Sequence, residues 1–399
     1  MHHSLGDVRK KAKLTSAGTH DIVLTELCSA LFASLPRSDQ RRKGVEYIRG
    51  LLGAEGRKSI RNIAAMIGGQ ATEQSLHHFI SDSTWDWAPV RSALAQHLAQ
   101  IAPPQAWVVR PMVIPKAGEH SVGVGRRFCP DLGQALNAQQ AVGVWAASED
   151  ISVPINWRLH LSQAWLDDDN RRNRALIPDE VDLETVGDCA VEAYLGTAAR
   201  RELPTRPVVL DAREMDVATT VRKLRAAGAP FLIRISSTQR LTVADPNLPG
   251  HSVEALPAHQ IMGAARDKRR PVTGPRFDST GGRWTSLAAT VRVKAPGEAG
   301  HGTGRGELLL LGAGEIGQSW PTELWLTDLT SADPASLLRM GRLIHRVDRD
   351  FTEIADQVGV RDFAGRSFTG WHRHITLASA AHAVAALSDT SDRELSRVS

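Results

Sequence analysis

Apolar positions recur at helical spacing through residues 20–101. In SIRNIAAMIGGQATEQSLHHFI, Ile60, Ile63, Ala64 and Ile67 share one helical face. Gly68-Gly69 interrupts that pattern, and Leu76, Phe79 and Ile80 mark the apolar side of a second helix. From about 104 to 235 the pattern becomes short Val- and Ile-rich runs: WVVRPMVI, SVGVGRRF, AQQAVGVWAAS and ISVPINWRLHL. Turns containing Gly, Asn and Asp separate them, which predicts an antiparallel meander. A helical stretch at 181–200 precedes RPVVLDA, an apolar strand ending on Asp211. VATTVRKLRAAG then reads as a helix closed by Gly228, and APFLIRIS as a further strand. Strands followed by alternating helix and strand predict an α/β fold, a mixed sheet with helices on its faces.

Residues 236–305 are rich in Gly, Pro, Arg and Thr, with scattered strands such as SLAATVRVKA. They read as a β-rich insertion with loose loops, notably APGEAGHGTGRGE. Order resumes with ELLLLGAG and TELWLTDL over 306–386. DPASLLRMGRLIHRVDRDFTEIADQVG then predicts one long helix, with Asp333 as cap and Pro334 in the first turn. Residues 1–20 and the polar tail 387–399 are expected to be loosely held.

Charge changes this picture in one place. The net charge is only +4, but Arg37, Arg41, Arg42, Lys43, Arg49, Arg57, Lys58 and Arg61 crowd one short span. Such a cluster suits either a solvated helix face or a phosphate-binding surface, and a helix, a glycine turn and a second helix in a basic setting are compatible with a DNA-binding module and equally with any helical bundle. The three cysteines, Cys28, Cys129 and Cys189, are too far apart in sequence for a CxxC zinc motif and fit a reducing cytosol. The basic, polar start has no apolar stretch of a secretory signal, and no run is long and apolar enough to span a membrane. A cytoplasmic protein is therefore expected.

Two acidic residues are candidates for chemistry. Asp211 ends an apolar strand, where α/β folds place functional groups, although a turn or cap role fits equally well. Asp348 lies among Arg342, Arg346 and Arg349 on a helix, compatible with a magnesium ligand or with a wet helix face. The third feature is a contradiction. The apolar run Trp107–Val109 meets Arg110-Pro111, a charge followed by a residue with no backbone N–H.

PKAGEHSVGVGRRFCPDLGQALNAQQAVGVW, SVPINWRLHLSQAW and GRSFTGWHRHITLASAAHA together resemble bacterial insertion-sequence transposases of the DDE superfamily, over about residues 45–386. The resemblance implies an RNase H-like mixed sheet flanked by helices, with a helical N-terminal region (21–103) and a β-rich insertion. It also implies strand cleavage and transfer on double-stranded DNA by two metal ions held on Asp, Asp and Glu. The family's first strand ends in consecutive aspartates, then Thr-Gly and Phe-Pro-Lys. This chain keeps Pro115 and Lys116 but has Arg110 and Pro111 at the aspartate positions. The second aspartate corresponds to Asp211, followed by Arg213-Glu214-Met215 rather than a small glycine-rich turn. The glutamate corresponds to Asp348, and a basic position seven residues on corresponds to Ala355.

A guanidinium at the first position does more than delete a ligand. Unit charges 4 Å apart interact by roughly 4 kcal/mol at an effective dielectric of 20, and a divalent ion meets about twice that repulsion. Arg110 is expected instead to pair with Asp211 or Asp348. The expectation is a transposase-derived protein without catalysis, binding DNA as a regulator or as an inert remnant, with no cofactor. The alternative is an active strand transferase or endonuclease, or an enzyme of other chemistry in the same cleft. It would hold Mg2+ or Mn2+ on Asp211, Asp348 and a further ligand such as Glu214, Asp216 or Glu353. The residues expected to meet DNA are Arg57, Lys58, Arg61, Lys116, His120, Arg126, Arg127, Arg366, Trp371, His372 and His374, with Arg373 beside them. Trp371 fits a core anchor equally well. A homodimer is compatible with the resemblance, since transposases act on two DNA ends.

Overall fold

The computed structural model describes residues 20–68, 70–129, 133–248, 255–276, 282–294 and 306–398. The N-terminal residues 1–19 and most of APGEAGHGTGRGE lie outside them. The chain begins with helices α1 (20–31), α2 (Ser38–Gly53), α3 (Ile60–Ile67), α4 (Gln70–Ser81) and α5 (Trp87–Ile101). Strands β1 (Ala106–Pro115), β2 (Gly125–Cys129), β3 (Gln134–Ala147) and β4 (Ser152–His160) follow. Next come α6 (Gln163–Leu166), α7 (Asp169–Ala175), α8 (Val186–Ala198), β5 (Val208–Asp211), α9 (Val217–Ala226) and β6 (Phe231–Arg234). Then come β7 (Arg240–Val243), β8 (Leu256–Pro257), α10 (Ala258–Ala264), β9 (Arg270–Pro275), β10 (Arg283–Lys294), β11 (Glu307–Gly314) and β12 (Glu323–Thr327). Helices α11 (Pro334–Gly341), α12 (Leu343–Asp350) and α13 (Phe368–Val398) end the chain. This is the α/β, RNase H-like class of mixed sheet flanked by helices.

Contacts divide the chain into two compact units. The first holds residues up to Pro103, Pro111–Glu184 and Asp348 onward; the second holds Pro104–Arg110 and Thr185–Val347. In the first, β2, β3 and β4 form an antiparallel meander with a bulge at Val144/Trp145. Its centre is α13, whose residues 371–384 are all buried. Trp157 on β4 donates from Nε1 to Ser379 Oγ at 2.8 Å, fixing the helix against the strand. α13 continues to Val398, so the polar tail is helical rather than loose. α3 ends at Gly68, as expected, with φ +124°, a conformation L-residues with side chains avoid; Gly69 lies outside the described residues. Ser59 caps α3 by accepting from Asn62 N at 3.2 Å.

In the second unit Trp107–Val109 pair in parallel with Val208–Leu210, and β5 pairs in parallel with β6. All three segments are unbroken apolar runs, the pattern of a parallel sheet covered on both faces. β12 pairs antiparallel with β6, and β11, β10 and β7 extend the ladder; the strands of 236–305 therefore join the same sheet. The long helix expected from Asp333 does start there, with Asp333 accepting from Ser336 N at 3.0 Å and Pro334 next. It is interrupted at Arg342, beside Gly341, where a Cβ would lie 2.9 Å from the Trp325 ring. A π-helical turn at Phe351–Ala355 then follows α12.

Candidate catalytic and nucleic-acid-binding site

Asp211 stands where buried β5 reaches the surface, in register with Arg234 on β6. Its carboxylate is clasped by Arg213, two residues along. Arg213 Nε lies 2.9 and 3.0 Å from the two oxygens, and Nη2 donates to Oδ2 at 2.6 Å; the Arg213 backbone N–H donates to Oδ1 at 3.1 Å. These hydrogen bonds raise the Arg213 pKa above its ordinary value. Arg234 Nη1 is 4.0 Å from the same carboxylate, and its Nη2 is 3.8 Å from Glu323 on β12. The strand ends thus carry an alternating ladder, Arg213–Asp211–Arg234–Glu323. Arg110 was expected to pair with Asp211 or Asp348; the guanidinium that clasps Asp211 is that of Arg213, because the turn after β5 folds back within reach. Arg110 itself is half-buried in β1, and Pro111 is exposed.

Asp348 opens the C-terminal segment of the first unit, exposed near the end of α12. The carboxylate built into that unit is Asp350, 1% exposed, whose Oδ2 accepts from Ser152 N at 3.0 Å and Ser152 Oγ at 2.9 Å. Of the further ligand candidates, Asp216 accepts from Thr219 Oγ1 at 2.7 Å and caps α9 through Thr219 N and Ala218 N, which together hold its carboxyl below the usual range. Glu353 lies 3.6 Å from Arg349, and Glu214 is exposed.

A family model described as DDE superfamily endonuclease matches residues 30–298. The chain belongs to that family. A search among curated proteins found no match. Membership makes the chain a relative of transposase-type nucleases and links it to DNA. No helix among the described residues is long and apolar enough to cross a membrane.

The family's chemistry calls for a divalent metal, and the donor set here does not fit one. Both oxygens of Asp211 are engaged by a guanidinium, and a metal would have to displace it. By the resemblance described above, Arg110 and Pro111 correspond to the first acidic position. Among the described residues, no group of three or more His, Cys, Asp or Glu side chains is arranged to hold a metal.

The residues expected to meet DNA separate by burial. Arg57, Arg61, His120, Arg126 and Arg366 are exposed. Trp371, His372 and His374 lie inside the first unit, at 1%, 5% and 1% exposure. Tyr47 Oη and His374 Nδ1 are 2.9 Å apart, and His374 Nε2 is 2.8 Å from Gly359 O. His372 stacks on Trp87 at 4.8 Å and receives Arg91 Nη2 at 3.0 Å. Burial pushes the His374 pKa down to about 4 and that of His372 well below the ordinary value, Arg91 adding to the latter. Neutral, hydrogen-bonded and enclosed, these side chains present nothing to a phosphate; they are framework. Arg373 likewise donates to Trp85 O and Ile80 O.

Lys58, Lys116 and Arg127 are also tied down. The Lys58 ammonium donates to Ala54 O and its backbone N–H to Asp362 at 2.7 Å. Gly359 makes room for it: a Cβ there would lie 2.5 Å from the Lys58 side chain. Lys116 Nζ donates to Phe363 O at 2.5 Å, and burial, with Arg57 nearby, lowers its pKa to about 8. Arg127 holds Gln140 Oε1 at 2.7 Å and His160 Nδ1 at 3.1 Å. The buried cation that sequence reasoning missed is Arg91, which donates to Thr376 Oγ1 at 2.7 Å and Trp157 O at 2.8 Å. Its only signal was a lone Arg on the apolar side of α5.

Proposed function

We propose that this chain is a transposase-derived DNA-binding protein that does not cut DNA. The observation carrying this reading is the Arg213 clasp on Asp211, together with Arg110-Pro111 at the first acidic position. Of the two retained acidic positions, Asp211 is neutralised from within the chain, so phosphate charge is met by side chains rather than by metal ions. DNA contact falls to the exposed cations of the first unit, Arg57 and Arg61 first, with Arg126 and Arg366. A regulatory role at DNA near its own gene, as a homodimer, accords with this chemistry.

Two titrations on purified protein test it. Calorimetry with Mg2+ or Mn2+ should give no stoichiometric uptake. Binding to duplex DNA from its genomic neighbourhood should weaken steeply with salt, and removing both Arg57 and Arg61 should lower the log–log salt slope by about two. Stoichiometric metal uptake that disappears in Asp211→Ala, accompanied by nicking, would overturn the reading.

A further inference from the structure

The second unit holds a cavity of about 260 Å³ that neither the metal positions nor the basic surface accounts for. It lies between the turn after β11 and the α11–α12 junction. Ser286 is buried and Arg342 half-buried in its wall, while Glu315, Gln318 and His345 are exposed. Glu323, the last member of the charge ladder, also lines it.

Arg342 is fixed but underused. Its guanidinium lies 4.3 Å over the Trp284 ring, and Nη2 donates to Ser286 Oγ at 3.3 Å. Its Nε–H is buried with no partner among the described residues. Glu323 and Glu315 both favour the Arg342 charge, against the burial that disfavours it, yet neither forms an ion pair with it among the described residues. A cation and two carboxylates thus line one small polar cavity without touching one another. Glu323 leans toward Arg234, and Glu315 Oε2 accepts from Gln318 at 3.0 Å.

We propose that this cavity binds a small zwitterion of the α-amino-acid type, its carboxylate on Arg342 and its ammonium on Glu315 and Glu323. Fixed charges of opposite sign select a ligand carrying both charges, and each contact becomes a charge-assisted hydrogen bond. The volume is below the roughly 300–1,000 Å³ of pockets that take drug-sized ligands. A nucleobase suits the cavity poorly, because no Phe, Tyr or Trp ring lines it, Trp284 is covered by Arg342, and the imidazole of His345 is the one ring among the lining residues. The carboxylates facing a guanidinium do not make a cation site.

The test is calorimetric titration of the full chain with the twenty amino acids. For the best binder, its methyl ester and its analogue lacking the amino group follow. One amino acid should bind saturably at one site, and each single-charge analogue should bind at least about tenfold more weakly. Glu315→Gln, at an exposed position, should weaken binding about tenfold with folding unchanged; Arg342→Gln should abolish it. If Arg342→Gln does not fold, Glu315→Gln decides alone. No saturable binding by any amino acid, equal binding of the acid without its amino group, or tighter binding of guanosine would each overturn the proposal.

Discussion

The C-terminal helix of the first unit and the strand ends of the second both carry dense polar residues, and they use them in opposite ways. In α13, His372, Arg373, His374, Thr376 and Ser379 are buried, each with a partner inside the unit. At the end of β5 and β6, Asp211, Arg213, Arg234 and Glu323 are partly exposed and answer one another in a row. The first arrangement makes a stable interior; the second sets the charge of a surface. A motif as recognisable as GWHRHITLASAAHA therefore folds into the interior, while the less distinctive VVLDARE carries the Asp211–Arg213 pair at the surface.

The largest effect expected from this contrast is at Trp371, 1% exposed within α13. Trp371→Ala removes a large buried ring and should cost about 3–5 kcal/mol in urea unfolding. A loss below about 1 kcal/mol would mean that α13 is not the centre of its unit, and the distinction between interior and rim would collapse.

Acid should separate the two regions next. Burial holds the folded pKa of His374 near 4, against an ordinary 6.5, so the unfolded chain takes up the proton first. The stability from keeping this group neutral is present above about pH 6.5 and is lost as pH falls through the window to about 4. The loss is about 3 kcal/mol when complete, and His372 acts in the same direction. Unfolding free energies at pH 7.5 and 4.5 measure it, and His374→Gln should flatten the slope. An unchanged slope in that variant would place the acid sensitivity elsewhere.

Much of this fold was legible along the chain, for definite reasons. Ile60, Ile63 and Ile67 announce α3, and VVL announces a strand of the parallel sheet, because periodicity and apolar run length are local properties. The break at Arg342 was not legible: Gly341 is the single breaker in SLLRMGRLIHRV, and the apolar pattern reads on past it. Nor was the burial of His372 and His374: polar residues on a helix read as surface until Tyr47, Trp87 and Arg91 arrive from far away in sequence. At the site, Arg110-Pro111 stood out against the resemblance as a departure from consecutive aspartates, while Arg213 stood out only as a departure from a small turn. Its clasp on Asp211 depends on how that turn folds.

The smallest expected effect is the sharpest probe of the rim. Asp211 and Arg213 form a forked pair at 29% and 53% side-chain exposure, so water and salt screen most of its Coulomb energy. A double-mutant cycle with Asp211→Asn and Arg213→Gln should return a coupling of about 0.2–1 kcal/mol, falling further in high salt. That range fits a clasp that sets local charge without holding the unit together, and both variants should keep wild-type cooperativity in unfolding. A coupling above about 2 kcal/mol, insensitive to salt, would put the ladder in the same class as the interior of α13. Arg213 would then be a structural strut, and its hold on Asp211 would follow from folding rather than from lost chemistry.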